Sequence, residues 1–186
     1  MVAQHIRHTE EMDLPTLRDG DLVLRPKRPD DAEALTAACQ DPEISRWTFV
    51  PSPYTRADAD HYIAISEQEA AAGTGVHLIA VDANDDRLLG SFSMMELDRA
   101  PGFGEIGYWV AAGARGRGIA TRATRLLADW AREALGLTRI EVLPHKDNAP
   151  SRRVAEKAGF RDSGALVRPP RGDEQEPVFA VYVWEA

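Results

Sequence analysis

One segment constrains the fold most: a strand-like run leads through a glycine- and arginine-rich loop directly into an amphipathic helix. Residues 105–110 read as the strand, and the loop is Arg115-Gly116-Arg117-Gly118. Apolar side chains then recur at helical spacing at Ile119, Ala123, Leu126, Leu127, Trp130 and Ala134. A helix N-terminus presents N–H groups without helical acceptors and a positive dipole end, and glycines let the backbone approach an anion. The pattern therefore predicts a phosphate-binding loop, with an ordinary tight turn carrying solvated arginines as the alternative.

Two common phosphate motifs fit the loop poorly. The Walker pattern fails because no Gly-Lys-Ser/Thr follows it. A dinucleotide fingerprint aligns with Gly116 and Gly118, but its third glycine position holds Thr121. The loop also follows a predicted antiparallel meander and not the first strand of a βαβ repeat. A dinucleotide-binding oxidoreductase is therefore disfavoured.

The remaining pattern predicts one mixed α+β domain over residues 21–186, preceded by an N-terminal arm over residues 1–20. Seven strands are expected at residues 21–25, 76–81, 88–97, 105–110, 139–143, 160–167 and 178–184. Four helices are expected, the first from a capping-box spacing at Asp30 and Glu33, the second from Thr55 with Asp58 to Gly73, the third after the loop and the fourth after Asn148. The order predicts a central mixed, mostly antiparallel sheet with helices on its faces.

Composition excludes several classes of function. The net charge of −8 is the reverse of what nucleic-acid binding requires, so no nucleic-acid partner is expected. No apolar stretch approaches the length of a bilayer span, so no membrane partner is expected either. The lone Cys39 cannot form an intrachain disulfide, and no signal peptide is apparent, which together favour the cytoplasm. Cys39 is interpreted as a small apolar residue and not as a catalytic thiol.

Three motifs in the right order resemble the GNAT N-acetyltransferase superfamily, and within it the RimJ/RimL-like branch. The first is the strand Glu105-Ile106-Gly107-Tyr108-Trp109-Val110, and the second is the Arg-x-x-Gly-x-Ala signature at Arg115, Gly118 and Ala120. The third is Asn148-Ala149-Pro150-Ser151, followed by Glu156-Lys157-Ala158-Gly159-Phe160. The resemblance extends from about Leu22 to Trp184.

This resemblance implies an acetyl-CoA-dependent enzyme that acetylates a primary amine, either a protein N-terminus or a small molecule, by direct attack in a ternary complex. Acetyl-CoA would be a cosubstrate, with no metal, and the chain could assemble as a homodimer. The implied coenzyme A contacts are Val110, Ala112, Arg115, Gly116, Arg117, Gly118, Ile119, Ala120, Thr121, Asn148 and Ser151. A non-catalytic acyl-CoA-binding sensor, which keeps the loop and has lost the acid and base, is the alternative.

The implied catalytic residues are Glu105 as general base and Ser151 as general acid, with Glu96 as the substitute base. The alternatives are that Glu105 is an exposed glutamate at a strand end and that Ser151 only makes local hydrogen bonds at the start of its helix. Partial burial can raise a carboxylate pKa toward the range useful for a base. The backbone N–H of Val110 is the expected donor to the developing oxyanion. The family often uses a tyrosine as the acid on the second coenzyme A-binding helix, but that helix contains no tyrosine here, so the proton donor stays open.

The same resemblance places the acceptor over the proline-rich segment at residues 47–54, where Trp47, Phe49 and Tyr54 would line an apolar groove. Packing of these aromatic side chains beneath an irregular loop is the alternative. His145 lies just before the Asn148 helix and is either a substrate contact or a surface loop residue. The histidines lack metal-ligand spacing relative to one another and to Cys39, so no metal site is predicted.

Overall fold

The computed structural model of the chain describes residues 14–168 and 178–185. The strands are β1 (Leu17–Asp19), β2 (Leu22–Pro26), β3 (Val76–Asp82), β4 (Leu88–Asp98), β5 (Phe103–Val110), β6 (Arg139–Val142), β7 (Arg161–Val167) and β8 (Phe179–Glu185). The helices are α1 (Ala32–Ala38), α2 (Pro42–Trp47), α3 (Arg56–Ala72), α4 (Ile119–Leu135) and α5 (Ala149–Ala158). The strands form one sheet in the order β1-β2-β3-β4-β5-β6-β8-β7.

The predicted mixed α+β fold is confirmed, with one strand and one helix more than the sequence indicated. The predicted meander is β3, β4 and β5, which pair antiparallel in succession. The additional strand, β1, pairs antiparallel with β2 and lies within the residues expected to form the N-terminal arm. The additional helix, α2, is six residues long and ends at Trp47, in a region expected to lack regular structure.

The sheet carries helices on both faces, and each face has its own apolar core. One core joins α4 and α5 to the sheet through Ile119, Ala123 and Ala155. The other joins α1, α2 and α3 to the opposite face. None of the described helices is long and apolar enough to cross a bilayer.

The strands β5 and β6 separate part of the way along their length. They pair in parallel only from Phe103 with Arg139 to Ile106 with Val142. β5 then continues to Val110, still paired with β4 on its other edge. The chain after β6 instead follows β8, because Ala180 donates its N–H to the carbonyl of Pro144. This separation, called the β5–β6 opening below, lies immediately before the glycine-rich loop.

Candidate active site

The glycine-rich loop has the geometry that an anion requires. Gly116 and Gly118 both adopt left-handed backbone conformations with φ of 76°, and a Cβ at either position would meet no atom within 4 Å. Gly118 is the N-cap of α4 and supplies no side-chain cap. The first helical bond runs from the Arg122 N–H to the Gly118 carbonyl, so the N–H groups of the residues between them precede the helical ladder. The loop therefore presents backbone donors on an accessible surface.

The arginines around this loop are each paired with a carboxylate in the structure. Arg115 lies 2.6 Å from Asp41, and Arg117 lies 3.8 Å from both Asp21 and Asp82. Without such partners, Arg115 and Arg117 would make the loop locally positive. These partners offset much of that charge, because each carboxylate lies within contact distance of a guanidinium. The backbone N–H groups and the helix dipole remain the main attraction for an anion.

The backbone of β5 offers polar groups to the β5–β6 opening. Ala111 donates its N–H to the Leu89 carbonyl at 2.9 Å, on the β4 side. Because hydrogen-bonding direction alternates along an antiparallel strand, the N–H and carbonyl of Val110 point the opposite way, into the opening. Arg115 confirms this direction, since its Nε donates to the Val110 carbonyl at 3.1 Å. Ala112 follows and is exposed, at the start of the one-turn 3-10 helix Ala112–Ala114.

Glu105 lies on β5 beside the start of this opening. Its Cα partners are Met95 on β4 and Glu141 on β6. Burial, together with the nearby carboxylates of Glu96 and Glu141, raises the pKa of Glu105 to about 7. Glu96 occupies an irregularity of β4 with a φ of 49° and is exposed. A carboxylate with a pKa near neutrality can both accept and release a proton at physiological pH.

Tyr108 is a functional candidate that the sequence reasoning missed. Its hydroxyl lies 2.8 Å from the Oγ of Ser151, at the start of α5, and its ring stacks against Phe92. Burial raises the pKa of Tyr108 to about 12, while the bond to Ser151 lowers it in part. Asn148 caps α5 by accepting the Ser151 N–H at 3.1 Å. From the sequence, alternation along β5 indicates only that Tyr108 and Glu105 lie on opposite faces of the sheet. It does not indicate the contact of Tyr108 with Ser151.

The three aromatic residues predicted to line an acceptor groove occupy two places. Tyr54 is 7% exposed and packs in the core beneath α1 and α3, which favours the packing alternative for this residue. Trp47 instead contacts the ring of His145, with centroids 5.4 Å apart. Phe49 lies 6.2 Å from the ring of Phe179, at the start of β8, and is 53% exposed.

The ring of Phe179 also packs edge-on against His145, with centroids 5.8 Å apart. Trp47, Phe49, His145 and Phe179 thus form a partly exposed set, called the aromatic cluster below. No group of histidine, cysteine and acidic side chains suited to a metal ion occurs among residues 14–168 and 178–185. Cys39 is buried at the end of α1, and burial raises its thiol pKa to about 12.

Comparison with known proteins gives consistent results. The family model of the acetyltransferase (GNAT) domain matches residues 21–161. The Bacillus subtilis protein "Putative ribosomal N-acetyltransferase YdaF" is 30% identical over 145 residues, which cover 77% of this chain and 79% of that protein. The crystal structure of a "Probable acetyltransferase" is similar with a TM-score of 0.80 and 27% identity, covering 91% of this chain and 96% of that one. RimJ of Mycobacterium smegmatis, solved in complex with CoA-disulfide, has a TM-score of 0.78 and 24% identity, covering 93% of this chain and 87% of that one.

Proposed function

The chain belongs to the GNAT family and is an acetyl-CoA-dependent N-acetyltransferase, and on that premise we propose that it transfers the acetyl group directly to a primary amine in a ternary complex. The acceptor is a protein N-terminus or a small-molecule amine. The observation that carries the proposal is the half-buried carboxylate of Glu105, with a pKa of about 7, beside the β5–β6 opening. A base in this position serves direct attack by an amine, and no covalent acetyl-enzyme is required.

The loop and the opening together fit coenzyme A. Backbone N–H groups of residues 116–121 face an accessible surface where a pyrophosphate would complete the N-terminus of α4. The pantetheine arm, an extended chain with amide groups, would pair in the manner of an added strand with the end of β5 at Val110 and with Ala112 just beyond it, where Arg115 now donates to the Val110 carbonyl. Ser151 and Asn148, at the start of α5 and held beside Tyr108 of β5, would contact the same arm.

The amine must be neutral to attack the thioester, so the enzyme needs a base that removes its proton. A lysine-type ammonium has a pKa of about 10.4 and an α-ammonium about 7.7–8.0, so most acceptor molecules are protonated at neutral pH. Glu105 can accept this proton, because about half of a carboxylate with a pKa of about 7 is ionised at pH 7. The transfer is uphill by about one pKa unit from an α-ammonium and by about three from a lysine-type ammonium, so it is easier for an α-amine. Glu96 acts on Glu105 through its charge, which raises the pKa of that base. The Val110 N–H, which points into the opening, stabilises the oxyanion.

The leaving group needs less help than the nucleophile. A thiolate leaves with a pKa of about 8.5, well below that of Tyr108 at about 12. Full proton transfer from Tyr108 through Ser151 to the sulfur is therefore uphill, whereas a hydrogen bond from the Ser151 hydroxyl is not. We assign the pair to hydrogen bonding of the departing thiolate, with Tyr108 fixing the orientation of Ser151 at 2.8 Å.

Thiol release from acetyl-CoA, measured with a panel of amines, tests the proposal. The panel contains alanine- and serine-initiated peptides, spermidine and free amino acids. Wild-type protein releases thiol with at least one amine, and Glu105→Gln reduces the rate by at least tenfold. Glu96→Gln is the matched control, because it removes a neighbouring carboxylate, leaves the base, and moves the pH profile toward acid. Amine-independent hydrolysis alone would contradict direct transfer.

A further inference from the structure

The guanidinium of Arg115 joins three parts of the molecule at one point. Its backbone belongs to the glycine-rich loop, its Nε donates to the Val110 carbonyl at 3.1 Å, and its Nη2 lies 2.6 Å from Asp41. We infer that Asp41 is a positioning residue that couples occupancy of the loop by coenzyme A to the placement of α2 and the aromatic cluster. The inference rests on the proposed function, since it assigns the cluster to the acceptor.

Asp41 performs two separate tasks with its two carboxylate oxygens. Oδ1 accepts the N–H of Glu43 at 3.0 Å, so Asp41 is the N-cap of α2. Oδ2 is buried and lies 2.6 Å from Nη2 of Arg115, as an ion pair without the angle of a hydrogen bond, and it has no hydrogen-bond partner among the described residues. The carboxylate is 17% exposed, so its ion pair is less screened by solvent than a fully exposed one. The start of α2 is thus attached directly to a side chain of the loop.

The other end of α2 reaches the aromatic cluster within six residues. Trp47 is the last residue of α2, and its indole Nε1 donates to Glu43 within the same helix at 3.1 Å. Its ring lies 5.4 Å from that of His145, on the far side of the β5–β6 opening. Ile44, between the two ends, is buried in the core. Because Ile44 holds the middle of this short helix in place, a displacement of its N-cap, Asp41, tilts α2 and moves Trp47 at its other end.

Bound coenzyme A would change the electrostatic interactions of Asp41 at the start of α2. A pyrophosphate on the loop places negative charge near Arg115, where it competes with Asp41 for the same guanidinium. Weakening of that pair releases the cap of α2 from the loop and shifts Trp47 relative to His145. Coupling of binding sites is reciprocal, so an acceptor that holds the cluster in the loaded position also favours coenzyme A binding.

The test follows Trp47 directly. The protein is labelled with 5-fluorotryptophan, and the ¹⁹F NMR signal of Trp47 is assigned by its loss in Trp47→Phe. The chemical shift of this signal is followed while coenzyme A is added, and calorimetry measures the affinity for coenzyme A separately. Asp41→Asn keeps a good N-cap and removes the charge. Asp21→Asn is the matched control, because Asp21 pairs with Arg117 and Arg122 of the same region and has no contact with α2.

The expected results separate positioning from damage to the fold. Coenzyme A shifts the Trp47 signal in wild type and in Asp21→Asn, and the shift is lost in Asp41→Asn. Affinity for coenzyme A is retained or tightens by about two- to fivefold in both variants, because each removes a negative charge near the loop. Arg115→Gln breaks the same pair from the other side and serves if Asp41→Asn fails to fold.

Two results would overturn the inference: an unmoved Trp47 signal in wild type at saturating coenzyme A, or an equal shift in wild type and Asp41→Asn. Absence of coenzyme A binding to wild type in calorimetry would instead overturn the proposed function, and it is detected before any Trp47 signals are compared.

Discussion

Replacement of Glu105 by glutamine changes both stability and catalysis, and it changes them in opposite directions. Glutamine has nearly the same shape as glutamate and no charge. In the wild type, burial and the carboxylates of Glu96 and Glu141 disfavour the ionised form. The variant removes that penalty together with the base, so we expect a protein that is more stable above neutral pH and less active.

The magnitude follows from the pKa. Glu105 titrates at about 7 in the folded chain and at 4.5 as a free side chain, so between these values the folded state binds more protons than the unfolded state. Wild-type stability therefore falls as pH rises from about 4.5 to about 7, by at most about 3.5 kcal/mol at about 1.4 kcal/mol per pKa unit. Because the side chain is only half-buried, solvent screening reduces the expected loss to about 1–2 kcal/mol.

Urea unfolding of both proteins between pH 4.5 and pH 8.5 measures this loss. The other carboxylates titrate in both proteins, so the difference in unfolding free energy isolates Glu105. Relative to wild type, Glu105→Gln should gain about 1–2 kcal/mol on going from low to high pH. Its transfer rate should be at least tenfold lower near pH 7, with a smaller deficit at high pH, where more acceptor is already neutral. A constant stability difference across pH, or an equal rate deficit at every pH, would refute the reasoning and mark Glu105 as a packing or positioning residue.

Substitutions at three further positions test the rest of the site. Acetyl-CoA at about 100 times its dissociation constant should stabilise wild type against thermal unfolding by about 2.7 kcal/mol, and Gly118→Asp should abolish this stabilisation. The control Gly118→Ala introduces the same backbone strain at a φ of 76° without the negative charge, and it should retain part of the stabilisation by acetyl-CoA. Tyr108→Phe keeps the stack on Phe92 and should lower kcat by less than about tenfold in stopped-flow thiol release, since it removes only the hydrogen bond that orients Ser151; a loss as large as that of the base variant would contradict this minor role. Trp47→Ala should raise the acceptor KM several-fold and change acetyl-CoA affinity much less, and added salt should raise the same KM if charge steers the amine. Reduced stability with an unchanged KM would show that Trp47 only packs.

Elements with strong local signals could be predicted from the sequence. The helix α3 runs from a capping box at Thr55 and Asp58 to a left-handed Gly73, as the spacing indicated. In the same way, Asn148 caps α5 and Gly159 ends it. These boundaries depend on side chains within a few residues of each other, which a single sequence displays directly.

Elements that depend on distant contacts could not be predicted. β1 has three residues and exists because it pairs with β2. α2 is too short for a periodic pattern and is fixed by its cap and by burial of Ile44. The first helix was expected to begin at a box of Asp30 and Glu33, but Asp31 instead accepts the Arg28 N–H and binds the buried Arg25.

The candidate site shows the same division. The loop and the position of Glu105 followed from adjacent motifs, whereas the contact of Tyr108 with Ser151 joins residues 43 positions apart. The burial of Tyr54 likewise depends on how α1 and α3 cover the sheet. The pairing of Arg115 with Asp41 lacks any local signal, because opposite charges are common along this sequence.

Thiol release from acetyl-CoA, measured at pH 8 over the amine panel with wild type and Glu105→Gln in parallel, tests the central claim most directly. The account predicts amine-dependent release by wild type, an acetylated amine in equal amount, and strongly reduced release by the variant with acetyl-CoA binding retained. Acetyl-CoA binding that raises the melting temperature, without thiol release above the protein-free rate for any amine, would contradict the account and indicate a binding protein.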